Sequence, residues 1–205
     1  MTDGPTRVTP VAVPRLGAER LLLVGTGAVH VALLPTWANW LRASYPSLDV
    51  RMVVTRSAER FVSRAALSAI SGSEVLLDAW PEGPAAGALH VELVEWADAV
   101  AVYPATMNFV SRFALGITDT PVLLALQCTR APIAVAPALP PGGQDSEVLR
   151  EHLATLEARR NVAVIPTVPG RSVTTGREDG ASPPPLPVVL ERLERTRVKL
   201  EGADT

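Results

Sequence analysis

The chain has 205 residues, 47% of them hydrophobic and 20% charged, which fits one globular domain of ordinary size. Its 19 basic residues nearly balance 21 acidic ones, and no basic cluster is interleaved with aromatic side chains, so we expect no nucleic-acid partner. The single cysteine, Cys128, lies in an apolar run where we expect inert packing, and it offers neither a disulfide partner nor a metal-ligand spacing.

No membrane partner is expected either. The longest apolar run, residues 21–29, is too short to span a bilayer, and residues 1–14 lack the apolar core of a signal peptide. We therefore expect a cytoplasmic protein.

Apolar runs and apolar residues at helical spacing alternate along the chain. The runs predict strands at residues 21–24, 50–54, 75–77, 99–103, 133–136 and 162–165. The helical spacing predicts helices at residues 29–41, 57–72, 108–115 and 144–160, and a short helix begins at His90. Residues 121–128 are compatible with a strand or a helix, and we favour a helix. Strands separated by helices imply parallel pairing with right-handed crossovers. The predicted fold is α/β, an open doubly wound parallel sheet in a Rossmann-like or flavodoxin-like three-layer sandwich.

Local signals give details of these elements. Pro35 lies inside the first helix and predicts a kink or a late start. Ser57 is predicted to cap the second helix, and Gly72 to end it. Residues 104–108 are predicted to form a polar turn after the fourth strand.

The last part of the chain has a different composition. Residues 168–187 are rich in proline and glycine, which predicts a mobile flap or linker rather than a packed element. Residues 188–200 return to helical spacing with many charges, so we expect a helix docked on the surface.

Two turns after the first two strands are candidate binding sites. Gly25-Thr26-Gly27-Ala28 opens a helix, where unpaired N–H groups bind anions, so it is either a phosphate site or only a tight turn. It lacks the third glycine of a dinucleotide fingerprint and the lysine of a Walker loop. Thr55 and Ser57 either donate hydroxyl hydrogen bonds to the same phosphate or cap the next helix. Both turns are expected at the carboxyl edge of the sheet, where ligands bind.

The histidines and the arginines of the flap supply further candidates. His90 begins a helix, where a neutral imidazole can accept a proton, although a surface or capping role is the alternative. His30 and His152 are expected to have no catalytic role, since His30 lies in a predicted apolar helix and His152 on a polar helix face. Arg171 and Arg177 are either solvated loop charges or a clamp for a substrate carboxylate. Core or subunit contacts are expected for the four tryptophans, Trp37, Trp40, Trp80 and Trp96.

Several motifs between residues 20 and 180 resemble those of the homo-oligomeric flavin-containing cysteine decarboxylases and occur in the same order as in that family. They are the phosphate-loop-like Gly25-Thr26-Gly27, the second flavin turn at residues 53–58 with Phe61, the histidine segment Leu89-His90-Val91-Glu92-Leu93, the turn Pro104-Ala105-Thr106-Met107-Asn108 in place of Pro-Ala-Ser-Ala-Asn, and Gly116-Ile117-Thr118-Asp119 in place of Gly-Ile-Ala-Asp.

The resemblance implies a flavin, FMN or FAD, bound between neighbouring chains of a trimer or a dodecamer. It implies that His90 deprotonates the substrate thiol or stabilises its thiolate, and that Asn108 lies beside the flavin ring and the substrate. The implied cofactor contacts are Gly25, Thr26, Gly27, Ala28, Thr55, Ser57, Phe61, Pro104, Ala105, Thr106, Asn108 and Asp119. The chain then divides into an extension (1–19), a flavin-binding domain (20–167), a flexible substrate flap (168–187) and a C-terminal helix with its tail (188–205).

Two departures from the family pattern concern substrate recognition and the branch of the family to which the chain is expected to belong. Pro137-Ala138-Leu139-Pro140 stands where the family has Pro-x-Met-Asn, which helps to hold the substrate. The flap contains no cysteine, whereas the phosphopantothenoylcysteine decarboxylases use one to return reducing equivalents. The loss of Pro-x-Met-Asn implies that substrate recognition differs from the family's pattern or that the site is impaired. The missing flap cysteine favours the branch that acts on C-terminal cysteines of ribosomally made peptides such as lanthipeptides. The expected partners are then a precursor peptide ending in cysteine and other biosynthetic enzymes, with Arg171 or Arg177 binding the carboxylate.

In the implied reaction the flavin oxidises the cysteine to a thioaldehyde, and loss of the carboxylate gives an enethiol for S-(2-aminovinyl)cysteine-type rings. Two alternatives stay open from the sequence. One is a non-catalytic regulatory flavoprotein, which the loss of Pro-x-Met-Asn supports. The other is a flavin prenyltransferase-like enzyme on the same fold.

Overall fold

A parallel sheet of six strands forms the centre of the molecule in a computed structural model, which describes residues 12–83 and 87–203. The strands are β1 Arg20–Gly25, β2 Asp49–Val54, β3 Val75–Leu77, β4 Ala99–Thr106, β5 Ile133–Ala138 and β6 Val162–Val164. They lie in the order β3-β2-β1-β4-β5-β6, and all adjacent pairs are parallel. The predicted doubly wound α/β fold is confirmed.

Helices cover both faces of this sheet. They are α1 Leu34–Ser44, α2 Arg64–Ser71, α3 Leu89–Trp96, α4 Met107–Ala114, α5 Pro121–Cys128, α6 Glu147–Glu157 and α7 Leu186–Glu201, with 3₁₀ turns at Val29–Leu33, Ala58–Arg60 and Gly143–Asp145. Because successive strand residues point to opposite faces, Leu21 and Leu23 pack under α1, α2 and α7, while Leu22 and Val24 pack under α3 to α6. Within the described residues, no helix is both long and apolar enough to cross a bilayer.

The strand order places a switch point between β1 and β4. The chain runs outward from β1 through β2 to β3, and then returns to form β4 on the other side of β1. The connections that leave the carboxyl ends of β1 and β4 therefore diverge to opposite faces and leave a crevice between them. Ligands of open α/β sheets bind in such a crevice.

The starts of the first two helices differ from the simplest prediction. Val29–Leu33 forms a 3₁₀ turn and α1 follows with Pro35 in its first turn, so the late start is correct and the kink is not. Ser57 accepts no capping hydrogen bond. Ser63 caps α2 instead, accepting from the Ala66 N–H, and Gly72 ends that helix at a φ of 77°. The prediction for Ser57 as a cap was therefore wrong.

The segment after the fourth strand is regular rather than a polar turn. β4 continues through Pro104 to Thr106, and α4 begins at the next residue. The Thr106 hydroxyl accepts from the Phe109 N–H at 3.3 Å and so caps α4. The direct passage from strand to helix holds Asn108 at the carboxyl edge of the sheet.

The predicted linker contains ordered pairing. β7 (Val168–Gly170) and β8 (Gly180–Ser182) form an antiparallel hairpin, which we call the flap hairpin, and Ala181 within it is buried. The last helix begins at Leu186 instead of 188, and its buried Val189 and Leu193 pack into the core. The expectation of an irregular linker and a surface-docked helix is therefore corrected.

Candidate functional site

Thr26, in the turn after β1, joins the two strands that flank the switch point. Its hydroxyl donates to the Pro104 carbonyl at 2.7 Å and accepts from the Thr106 N–H at 2.8 Å. Its own N–H donates to the same Pro104 carbonyl at 3.2 Å. The side chain is 1% exposed, so it positions the ends of β1 and β4 rather than presenting a hydroxyl to a ligand.

The turn after β2 lies directly against the turn after β1. The Thr55 N–H donates to the Gly25 carbonyl at 3.0 Å, and the hydroxyls of Thr55 and Ser57 are hydrogen-bonded at 3.0 Å. A Cβ atom at Gly27 would lie only 2.4 Å from the Ser57 Oγ. The close approach of the two turns therefore requires glycine at position 27.

A cavity of about 520 Å³ lies between these turns, the start of α4 and the flap hairpin; we call it the flap cavity. Phe61, 44% exposed, presents an aromatic ring there, and Asn108 lies on the α4 side. Among the described residues that line it, none is acidic, and Arg171 and His30 are the only basic ones. The cavity therefore suits an anionic ligand with a planar ring.

A second cavity, of about 490 Å³, lies farther along the same edge of the sheet and is lined by Thr55, Ser57 and Trp80; we call it the Trp80 cavity. The Trp80 Nε1–H donates to the Asp119 carbonyl at 2.8 Å. The Asp119 carboxylate forms an ion pair with Arg112. Because Ser57 contacts Gly27 of the flap cavity, the two cavities adjoin.

Asp78 is a buried carboxylate in the Trp80 cavity that no sequence motif had indicated. It is 4% exposed, and its Oδ1 accepts from the Val122 N–H at 2.9 Å. Burial raises the pKa of Asp78, while the Val122 N–H, the Thr120 hydroxyl and the charge of Arg112 oppose this rise. Its Oδ2 has no hydrogen-bond partner among the described residues. Asp78 thus holds the start of α5 against the end of β3.

His90 lies in the first turn of α3, which begins at Leu89, one residue before the predicted start, and it lies beside the Trp80 cavity. Its ring meets the Trp80 ring edge-on, with centroids 5.6 Å apart. The Nδ1 atom is buried and has no hydrogen-bond partner within the described part of the chain. Asn108 thus lines the flap cavity, whereas His90 lines neither cavity and contacts the Trp80 cavity through the Trp80 ring.

The remaining predicted residues divide into three groups. Gly25, Pro104 and Ala105 are buried within strand ends, so they shape the site through the backbone. Gly27, Ala28, Phe61, Thr106, Asn108 and Arg171 line the flap cavity, while Thr55, Ser57 and Asp119 line the Trp80 cavity. Arg177 lines neither cavity, and its Nε pairs with the Asp179 carboxylate at 2.6 Å.

Two expectations about single residues need correction. Cys128 is exposed at the end of α5 rather than buried in apolar packing. His30, expected to pack in an apolar helix, is half-buried in the 3₁₀ turn and lines the flap cavity, where burial lowers the pKa of its imidazole. Its position three residues after Gly27 was the available signal, because that turn opens the crevice.

The segment in place of Pro-x-Met-Asn anchors the flap hairpin. Pro137 and Ala138 end β5. The Leu139 N–H donates to the Ala181 carbonyl at 2.8 Å, and the Ala181 N–H donates back to the Leu139 carbonyl at 3.3 Å. Leu139 and Pro140 line the cavity without a side-chain donor.

The chain belongs to the Flavoprotein family, whose model matches residues 14–189. It is 34% identical over 154 residues to the cypemycin cysteine dehydrogenase (decarboxylating) of a Streptomyces species, which covers 75% of this chain and 79% of that relative. The crystal structure of the cypemycin decarboxylase CypD matches with a TM-score of 0.74 at 30% identity, covering 92% of this chain and 98% of that one.

A third similar protein is the FMN-dependent cysteine decarboxylase TvaF from thioviridamide biosynthesis. It matches with a TM-score of 0.63 at 29% identity and covers 71% of this chain and 88% of that one. The resemblance to flavin-containing cysteine decarboxylases, first drawn from the motifs, is confirmed.

The residues present fit a flavin. The crevice lies at the switch point, the turn after β1 has no room for a side chain at Gly27, and an exposed Phe61 faces the cavity. The absence of acidic side chains among the described lining residues suits a phosphate-bearing ligand.

Proposed function

We propose that this protein is a flavin-dependent decarboxylase that oxidises the C-terminal cysteine of a ribosomally made peptide to an aminoenethiol. The observation that carries the proposal is the flap cavity, lined by Asn108 at the β1–β4 switch point, in a chain 34% identical to a cysteine dehydrogenase that decarboxylates. The exposed flap hairpin beside the cavity leaves room for a peptide end rather than only a small molecule.

FMN is the flavin we assign, since the similar protein TvaF is described as FMN-dependent. The N–H groups of the turn at Gly27 and Ala28 would hold the phosphate, and Phe61 would pack against the ring system. When bound, the flavin accepts the two electrons that leave the substrate cysteine.

Residues of the chain then supply orientation and proton transfer. Asn108, exposed in the flap cavity, is placed to orient the substrate through its side-chain amide. His90 is assigned to deprotonate the thiol, because its buried Nδ1 lacks a partner in the described chain and its ring lies at the Trp80 cavity. Loss of the carboxylate as CO₂ leaves the electron pair in the new carbon–carbon double bond of the enethiolate.

The complete site is proposed to form between two copies of the chain. Asn108 lines the flap cavity, whereas His90 contacts Trp80 of the other cavity. Apolar side chains near both are exposed, including Val29 at the flap cavity and Trp80 and Val91 near His90. A trimer with one site at each interface satisfies this arrangement.

Mixed oligomers test this assembly. His90→Asn and Asn108→Ala chains would be inactive alone, but co-expressed chains should form some interfaces with both intact residues. Random mixing of equal amounts makes about one quarter of the interfaces complete, so about one quarter of the wild-type turnover should return. No recovered turnover in a verified mixed oligomer would show that both residues act within one chain.

The absorption spectrum of the purified protein tests the cofactor. A visible flavin spectrum, with FMN identified by chromatography after heat release, is the expected result. A colourless protein that also fails to take up FMN would contradict the proposal.

A further inference from the structure

The flap cavity carries one fixed positive charge. Arg171 is the only lysine or arginine among the described residues that line it, and none of those residues is acidic. His30 also lines it, but burial lowers the pKa of its imidazole and favours the neutral form. A guanidinium that faces no carboxylate in its own cavity can bind an anionic group of a ligand.

Hydrogen bonds within the flap hairpin position this guanidinium. The Arg171 Nε–H donates to the Gly176 carbonyl at 2.8 Å. Gly176 has a φ of 71°, a conformation that few residues other than glycine adopt. The Ser172 N–H donates to the Arg177 carbonyl at 2.8 Å and closes the same loop. Only one of the five guanidinium N–H groups is used in this contact, so the terminal N–H groups stay available to a carboxylate.

Arg177 provides the contrast within the same hairpin. Its guanidinium pairs with Asp179 at 2.6 Å, and Arg177 does not line the flap cavity. Asp179 also accepts from the Thr175 hydroxyl at 3.3 Å. The two arginines thus have different partners, and only Arg171 presents its charge to the site.

The segment in place of Pro-x-Met-Asn offers no side-chain donor that could bind the carboxylate instead of Arg171. Leu139 and Pro140 have no side-chain donor, the Leu139 N–H already binds Ala181, and proline has no N–H. We propose that Arg171 binds the terminal carboxylate of the peptide substrate and selects peptides with a free C-terminal acid. This inference rests on the proposed function, since it concerns the substrate of the same site.

The assignment predicts which kinetic constant changes. The carboxylate charge leaves the substrate during the reaction, so a guanidinium that pairs with it stabilises the bound substrate at least as much as the transition state. Arg171→Gln should therefore raise KM about tenfold, as expected for one charged hydrogen-bonding contact in an exposed loop, with little loss of kcat.

The experiment compares a Cys-terminated peptide with its C-terminal amide, measuring the dissociation constant of each for the FMN-loaded protein. Wild type should bind the acid about tenfold more tightly, and Arg171→Gln should lose this preference. Arg171→Lys should keep part of it, and the matched control Arg177→Gln should keep all of it. FMN content and thermal midpoint establish that each variant is folded.

Three results would overturn the inference. The first is equal binding of the acid and the amide peptide by wild type, and the second is an unchanged preference for the acid in Arg171→Gln. The third is a loss of FMN affinity in Arg171→Gln, which would show that the guanidinium binds the FMN phosphate instead. Turnover of the acid peptide by wild type is measured separately. An inactive wild type that still distinguishes acid from amide through Arg171 would contradict the proposed function and leave this inference standing.

Discussion

The flap cavity and the Trp80 cavity adjoin along one edge of the sheet but differ in their chemistry. The flap cavity has Asn108 and Arg171 on its walls and no acidic side chain among its described lining residues. The Trp80 cavity contains the carboxylates Asp78 and Asp119 beside Arg112. The first cavity suits an anionic ligand. In the second, Asp78 binds the start of α5 and Asp119 pairs with Arg112, so most of the charges have partners within the chain.

The position of His90 relates this difference between the two cavities to the proposed catalysis. The histidine contacts Trp80, and its Nδ1 has no partner among the described residues. A single chain thus keeps Asn108 in the flap cavity apart from His90, the residue proposed as the base. Association of two copies would bring the two together.

The largest expected effect comes from removing the base. His90→Asn should retain FMN but lose about 10²–10⁴-fold in turnover, because a general base contributes that much. His152→Asn is the matched control, since His152 only hydrogen-bonds Ser111 between α4 and α6 at 3.0 Å. Turnover near the wild-type value in His90→Asn would remove His90 from the mechanism.

The contact between the two turns is tested by adding one methyl group. Gly27→Ala would place its Cβ 2.4 Å from the Ser57 Oγ and 3.0 Å from the Ser57 carbonyl carbon. Overpacking of this kind costs about 1–3 kcal/mol, so the free energy of unfolding and FMN retention should both fall. Gly83→Ala, where no atom of the described residues lies within 4 Å of the added Cβ, should change neither. Normal FMN retention in Gly27→Ala would argue against a phosphate at this turn.

The role of Thr26 predicts a loss of stability without loss of a ligand contact. Thr26→Val leaves the Thr106 N–H without its acceptor, which should lower the free energy of unfolding by about 1–3 kcal/mol. Thr36→Val, at an exposed position of α1, should change it by less than about 0.5 kcal/mol. Urea unfolding measures both, and equal values for the two variants would refute the role of Thr26 in joining β1 to β4.

The smallest effect concerns Asp78 and pH. Its pKa in the folded protein is raised above its ordinary value of 3.8, so the ionised form lowers stability above the folded pKa. This destabilising contribution should disappear as the pH falls through the folded pKa towards 3.8. Asp78→Asn keeps an acceptor for the Val122 N–H and should weaken the pH dependence of unfolding in that range. An identical pH dependence in both proteins would contradict the assignment.

The sheet could be predicted from the sequence because its strands are short, buried on both faces and separated by helices. The third strand has the predicted bounds of residues 75 and 77, and the others differ by one to three residues at their ends. Helix starts were less certain, because Ser57 and Ser63 both precede apolar residues and local sequence does not decide between them.

Tertiary contacts explain what the sequence did not reveal. Asp78 follows a three-residue strand and gives no local sign that α5 will cover it. The flap hairpin depends on the pairing of Leu139 with Ala181, which are far apart in the chain. The charges on α7 suggested a surface helix, although its other face fills the core.

The most direct test of the proposed decarboxylation is mass spectrometry of peptides ending in cysteine after incubation with the FMN-loaded protein. Matching peptides that end in serine serve as controls, because they lack the thiol. A Cys-terminated peptide should lose CO₂ and two hydrogens, while its serine counterpart should keep its mass. A fully FMN-loaded protein that leaves the Cys-terminated precursor peptide of its own biosynthetic pathway unchanged would show that it is not a peptidyl-cysteine decarboxylase.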